Sequence, residues 1–134
     1  MKAYVAATLA RQVKGEYVFL DLHCAFHEKH SAENYMKSRS SEPLIQIAQV
    51  HCIAERSILE VELSEDASNA KKLFAAICMA RQVDGEYVFV KVERASTERS
   101  VIEQFQHDLL KFESLTIEGI QCVAERSVLE VEFE

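Results

Sequence analysis

The sequence predicts an α+β fold built as a tandem duplication of a ββαββ unit. A shift of 70 positions aligns residues 4–63 with residues 74–133 without a gap, and 23 of those 60 positions are identical. Each copy also combines runs of alternating apolar residues with one segment of helical spacing. Because a unit of this size is marginally stable alone, we expect the two units to pack as one pseudo-twofold domain with mainly antiparallel sheet.

The identical positions form two blocks that bound each repeat. "ARQVKGEYVF" at positions 10–19 returns as "ARQVDGEYVF" at positions 80–89. "CIAERSILEVEL" at positions 52–63 returns as "CVAERSVLEVEF" at positions 122–133. We therefore assign residues 1–64 to the first repeat, residues 65–71 to a polar linker and residues 72–134 to the second repeat.

The first two strands of each unit flank a tight turn. Asp84 and Gly85, set between strand-forming residues, give a strong β-hairpin signal, and Lys14 with Gly15 gives a weaker one. In the first copy we expect strands over about residues 2–13 and 16–26. Each unit should therefore begin with a β-hairpin.

A helix and two further strands complete each unit. In the second copy, residues 98–112 place four apolar side chains at helical spacing. They are Ile102, Phe105, Leu109 and Phe112. The first copy has a weaker helix around Ala32, Tyr35 and Met36 that ends before Pro43. The last two strands of the first copy are expected over residues 44–54 and 57–63.

Composition excludes several classes of function. The net charge is -7, which opposes direct binding to nucleic acid or to an anionic membrane. The short apolar run at the N-terminus is no convincing export signal, and no run is long enough to span a bilayer. We therefore expect a cytoplasmic protein. Glycine-rich phosphate loops and the common catalytic motifs are absent from the sequence, so we expect no enzyme activity and no cofactor.

The acidic residues of the last strand in each repeat support the leading functional hypothesis. Alternation on these strands turns carboxylates to solvent. These residues are Glu60, Glu62, Glu130 and Glu132. We interpret them as a surface for a basic protein partner, such as a nucleic-acid-binding protein that this chain inhibits as an immunity-type factor. Arg11 and Arg81 recur at matching positions and are candidate anchors for an anionic ligand or partner. The recurring Glu55–Arg56 and Glu125–Arg126 pairs favour cross-strand ion pairs instead.

A small-ligand sensor is the second hypothesis. The strand after the first turn is apolar on both faces, so the other unit, a second copy of the chain in a homodimer, or a ligand must cover one face. A pocket between the repeats would be lined by Tyr17, Phe19, Tyr87 and Phe89.

A metal protein or enzyme is the third hypothesis. It would use a cluster of residue types that bind zinc: His23, Cys24, His27 and His30. The matching positions of the second copy hold Glu93, Arg94, Thr97 and Ser100, so the fold cannot depend on such a site. All four cysteines are expected as free thiols.

Overall fold

The computed structural model describes residues 1–14, 18–39, 42–85 and 87–134. The first half contains β1 (Lys2–Gln12), β2 (Val18–Phe26), α1 (Lys29–Lys37), β3 (Leu44–Ile47) and β4 (Val50–Glu62). The second half contains β5 (Lys72–Gln82), β6 (Val88–Ser96), α2 (Arg99–Gln106), β7 (Phe112–Ile117) and β8 (Ile120–Glu132). The α+β class is confirmed, and the two halves share one layout of elements.

Each half forms a four-stranded antiparallel sheet. The strand order is β2-β1-β4-β3 in the first sheet and β6-β5-β8-β7 in the second. Hairpins join β1 to β2 and β3 to β4, while β1 and β4 pair in the middle of the sheet. Because β3 and β7 stand at one edge, each sheet ends in a short strand that follows the helix.

The chain forms two compact units, and each includes a short segment from outside its own repeat. The N-terminal unit comprises residues 2–61 and 131–134, and the C-terminal unit comprises residue 1 and residues 62–130. In the N-terminal unit, Phe133 pairs in parallel with Ala25, and its ring stacks on His27 at 4.3 Å between centroids. In the C-terminal unit, the Leu63 N–H donates to the Met1 carbonyl oxygen at 2.7 Å.

Small side chains let each helix pack closely on its sheet. Ala3, Ala6, Ala7 and Ala10 of β1 are at most 1 % exposed, and α1 packs on β1 and β2 with Ala32 buried. In the C-terminal unit the corresponding helix buries Ile102 against β5 and β6. No helix in the described part of the chain is long and apolar enough to cross a membrane.

The last two strands of each repeat differ from the prediction. Residues 44–54 are not one strand, because a two-residue turn at Ala48 and Gln49 separates β3 from β4. Both turn residues have positive φ, 49° and 69°, the geometry of a tight hairpin. Neither is glycine, so the first copy carries little turn signal, whereas the second copy has Glu118 and Gly119 there. The strand predicted over residues 57–63 is the end of the long β4.

The predicted second helix is too long. The helix ends at Gln106, and two of the four apolar residues at helical spacing lie beyond it. Leu109 is 39 % exposed in the following turn, and Phe112 begins β7 at 60 % exposure. Turn hydrogen bonds close the helix, since the Leu109 N–H donates to the Gln106 carbonyl at 3.0 Å. The helical spacing of apolar residues therefore continues past the end of the helix, which is why the predicted helix was too long.

Glu65, in the predicted linker, forms hydrogen bonds with the end of β6 and the residue that follows it. Its Oε1 accepts hydrogen bonds from the Thr97 N–H at 2.7 Å, the Ser96 hydroxyl at 3.0 Å and the Thr97 hydroxyl at 3.2 Å. Burial raises the pKa of the Glu65 carboxyl, but hydrogen bonds to Thr97 and Ser96 outweigh it, so the net pKa is lowered. The ionised carboxylate is therefore the form that stabilises the folded unit.

We expect Glu65→Gln to lower the free energy of unfolding by about 1–2 kcal/mol at neutral pH, because a charged acceptor is replaced by a neutral one. The folded pKa lies below the ordinary value of 4.5, so the contribution is complete above that value and disappears as pH falls through the folded pKa. Urea unfolding at several pH values measures this. A difference between variant and wild type that does not shrink as the pH falls through the acid range below 4.5 would contradict the assignment.

Candidate functional site

A cavity of about 490 Å³ lies in the N-terminal unit, between the sheet and the end of α1. Its apolar wall comes from four elements. The residues are Ala10 of β1, Phe19 of β2, Ile45 and Ile47 of β3 and Met36 of α1. Strand register brings them to one face of the sheet, because Ala10 is paired with Phe19, and Ile45 with Cys52. The volume falls in the range of small-molecule sites.

A histidine and a threonine form part of the polar wall of this cavity. Thr8 is 7 % exposed, and its Oγ1 lies 2.6 Å from Nε2 of His23. On the other side of the ring, an Asp21 carboxylate oxygen lies 3.9 Å from Nδ1. The register of β1 and β2 shifts at this point, so that His23 is the extra residue of a β-bulge. Such bulges redirect a side chain, and here it lines the cavity.

Two arginines and one aspartate, Asp21, line the cavity, so its charged side chains carry an excess of one positive charge. Arg56 extends from β4 and is half-buried, and its Nη1 donates to the Glu42 carbonyl oxygen at 2.8 Å. Arg39 follows α1 and is exposed, with its guanidinium 5.0 Å from the centroid of the Tyr35 ring. Among the residues that the structure describes, no carboxylate lies within 4.0 Å of the side-chain nitrogens of either arginine. Arg56 therefore keeps donors available to an anion in the cavity.

The C-terminal unit pairs the corresponding arginine internally. Arg126 occupies the position of Arg56, and its side chain is 10 % exposed. Its Nε donates to Glu93 at 3.0 Å and its Nη1 donates to Glu113 at 2.8 Å. The hydrogen bonds to Glu113 and to Glu93 raise the pKa of Arg126 above its ordinary value. The guanidinium of Arg126 therefore has two carboxylate partners within its own unit.

The two carboxylates have no acidic counterpart in the N-terminal unit. A shift of 70 positions maps Glu93 to His23 and Glu113 to Pro43. The apolar wall is shared. The C-terminal unit has a buried cluster that includes Ala80, and Phe89, Leu115 and Ile117 pack against that cluster. Two units with the same apolar wall and the same arginine therefore differ in what stands opposite that arginine.

The four residues of the metal hypothesis do not converge. His23 bonds Thr8, His27 stacks on Phe133, and His30 is exposed on α1. Within residues 1–14, 18–39, 42–85 and 87–134, no group of three His, Cys, Asp or Glu side chains could hold a metal ion. The arrangement brings only His23 to the cavity.

The thiol of Cys24 is buried rather than poised for nucleophilic attack. Burial raises its pKa, although a hydrogen bond with Tyr35 acts in the opposite direction. Since the thiolate is the reactive form, this environment disfavours nucleophilic chemistry. All four cysteines, Cys24, Cys52, Cys78 and Cys122, are buried free thiols.

The carboxylates of the proposed acidic surface are exposed, but three of the four form ion pairs. Glu60 pairs with Lys2 at 3.7 Å, and Glu62 pairs with the N-terminal amino group at 3.5 Å. Glu130 pairs with Lys72 at 2.6 Å, and a hydrogen bond from Lys72 lowers the pKa of its carboxyl. Glu132 is exposed at the end of β8. The surface therefore presents less uncompensated charge than the sequence suggests.

The other predicted site residues lie in different surroundings. Arg11 is half-buried and Arg81 is exposed, each one residue from the end of its strand. Phe19 lines the cavity of the N-terminal unit, whereas Phe89 packs in the apolar cluster of the C-terminal unit. Tyr87 is 63 % exposed with its ring 6.5 Å from Phe89. Tyr17 lies outside the described residues.

Sequence reasoning missed Thr8, Arg39 and Arg56 as site residues. The signal was present in the repeat, because Arg56 and Arg126 are identical while the residues opposite them are not. No protein-family model, curated protein or solved structure that was compared with the chain matches it.

Proposed function

We propose that the N-terminal unit binds a small organic anion in its cavity, and that the protein acts as a ligand-binding module rather than as an enzyme. One observation carries the proposal. Arg56 lines a cavity of about 490 Å³, whereas its counterpart Arg126 is satisfied by two carboxylates. A half-buried guanidinium is most stable with a charge-assisted partner, and a ligand can supply one.

Charge and shape support an anion with an apolar body. The cavity wall carries the guanidinium groups of Arg56 and Arg39 and one carboxylate, that of Asp21, which lies 3.9 Å from a nitrogen of His23. Phe19, Ile45 and Ile47 offer apolar surface behind them. Sites of this kind bury the apolar body of a ligand and orient it with a few polar groups.

A panel of small organic anions tests the proposal. We expect at least one aromatic or branched anion to raise the melting temperature. At a hundredfold excess over its dissociation constant, the anion should raise the free energy of unfolding by about 2.7 kcal/mol. NMR titration should place the perturbed amides on β1, β2, β3 and β4 around the cavity. The neutral amide or ester of the same compound is the control. If neutral and charged forms bind equally, the arginines are not the recognition element.

The relation between the units fits gene duplication followed by divergence. We propose that both descend from one ββαββ unit, which the shared layout and the 70-residue correspondence support. In this view the C-terminal unit kept or acquired its internal ion pairs, while the N-terminal unit specialised in binding.

The acidic protein-binding surface stays a prediction from the sequence. Glu60 and Glu62 are 55 % and 69 % exposed and could contact a basic protein partner in the cytoplasm. Their ion pairs with Lys2 and the N-terminus must be broken or shared in such a complex, which lessens the support for this function relative to the cavity.

A further inference from the structure

We infer that the ligand of the N-terminal unit is a carboxylate, held by Arg56 much as Arg126 holds the side chains of Glu93 and Glu113. This inference rests on the proposed function and names the chemical class of its ligand. It treats the C-terminal unit as a copy of the same site in which the protein supplies its own anions.

Each of the two arginines donates to a backbone carbonyl that precedes the edge strand of its unit. Arg56 donates from Nη1 to the Glu42 carbonyl at 2.8 Å, and Arg126 donates from Nη1 to the Leu110 carbonyl at 2.9 Å. The two acceptors lie two positions apart in the 70-residue correspondence, which matches Glu42 with Phe112. Each arginine also stands on the same position of the long strand, by the 70-residue correspondence. The guanidinium of Arg56 therefore has a fixed orientation before any ligand binds, which reduces the cost of binding.

In the C-terminal unit, carboxylates are the partners of the arginine at the matching strand position. A carboxylate oxygen of Glu93 lies 3.0 Å from Nε of Arg126, and an oxygen of Glu113 lies 2.8 Å from Nη1. Planar carboxylates match the donors of a guanidinium edge. In the N-terminal unit the position of Glu93 is occupied by His23, which lines the same cavity as Arg56.

The surroundings of Arg56 point to one carboxylate on an apolar body. Phe19, Ile45, Ile47 and Met36 give the cavity an apolar wall, which favours an aromatic or branched chain over a hydrophilic one. Arg39 is exposed, so it can attract the anion or contact a second polar group without being enclosed.

A series of compounds on one ring system tests the head group. We expect NMR titration to show 2-naphthoate binding about tenfold or more tightly than 2-naphthalenesulfonate and 2-naphthylphosphonate, with 2-naphthamide not binding. Tighter binding of the sulfonate or phosphonate would overturn the carboxylate inference and leave the proposed function standing. Failure of all three anions to bind would overturn both.

Substitution of His23 tests the internal comparison directly. His23→Glu should supply the missing carboxylate, pair with Arg56 and lower the affinity for 2-naphthoate by about 10- to 100-fold relative to His23→Gln. Both variants lose the contact with Thr8, so their difference measures the carboxylate. Gln46→Glu adds the same charge at an exposed position of β3 and should leave binding unchanged.

The same variants give a readout that needs no ligand. If the comparison with Arg126 is right, His23→Glu melts at a higher temperature than His23→Gln, because Arg56 gains an internal partner. Equal or lower melting temperature of His23→Glu would show that a side chain at this position cannot reach Arg56, and the inference would be wrong. A successful anion panel with this negative result would still support the proposed function.

Discussion

Arg126→Leu is expected to lower the free energy of unfolding by about 2–4 kcal/mol, while Arg56→Leu changes it by less than about 1 kcal/mol. The two residues are identical and occupy matching strand positions, so the difference comes from their partners. Glu93 and Glu113 have side chains 17 % and 34 % exposed, and removal of Arg126 leaves both carboxylates half-buried without their cation. Within the part of the chain that the structure describes, Arg56 has no carboxylate partner to lose. Urea unfolding followed by circular dichroism measures both changes.

A charge-deleted background separates this effect from lost packing. In Glu93→Gln/Glu113→Gln, the amides need no cation, so adding Arg126→Leu should cost clearly less than it does in the wild type. A similar cost in both backgrounds would mean that the aliphatic part of Arg126 carries the effect. Equal losses for Arg126→Leu and Arg56→Leu would contradict the difference between the units altogether.

The fold could be predicted from sequence wherever the local pattern and the tertiary structure agree. The first two strands of each unit come from runs of alternating residues, and β1 and β2 lie close to the predicted ranges. Gly15 of the predicted first turn and Glu16 at the predicted strand start lie outside the described residues. The turn at Ala48 and Gln49 escaped prediction because neither residue is a typical positive-φ residue, and its geometry is set by strand pairing. Only the second copy, with Gly119, showed that signal.

Other features depend on contacts that no local pattern encodes. Phe133 reads as the last residue of an amphipathic strand, yet it stacks on His27, more than 100 positions earlier, in the N-terminal unit. The cavity also depends on such contacts, because four strands and the end of α1 form its wall. The register of those strands is fixed only in the folded chain. The recurring arginines were expected to form cross-strand ion pairs, and Arg126 does so, but the local pattern did not identify its partners. Arg126 bonds Glu93 and Glu113, which are 33 and 13 positions away, rather than the adjacent Glu125.

One comparison within the sequence could have located the site. An arginine that recurs in two copies of a fold needs a similar partner in both, unless one copy uses it differently. The C-terminal unit pairs Arg126 with Glu93, whereas the N-terminal unit keeps the arginine as Arg56 and has His23 at the position of the glutamate. The substitution was visible in the sequence as part of a histidine cluster, but its meaning depended on knowing that His23 and Arg56 line the same cavity.

Loss of the Arg56 guanidinium is expected to have the largest effect on ligand binding. Arg56→Leu should weaken the binding of 2-naphthoate by about 10- to 100-fold, since a charge-assisted hydrogen-bonded pair is lost. Arg56→Lys should recover only part of that loss, because an ammonium group cannot reproduce the planar pair of donors. Calorimetry at two salt concentrations measures both effects. We expect weaker binding at high salt for the wild type and a smaller salt effect for Arg56→Leu.

A matched surface variant makes the result specific to the cavity. Arg99→Leu removes an arginine from α2, where the side chain is 58 % exposed and pairs with Glu103, so the net charge changes equally without touching the cavity. It should bind 2-naphthoate like the wild type. If Arg56→Leu and Arg99→Leu weaken binding to the same extent, the attraction is a property of overall charge. Because Arg56→Leu is also expected to keep its stability, lost binding with an unchanged melting temperature would assign Arg56 to recognition rather than to folding.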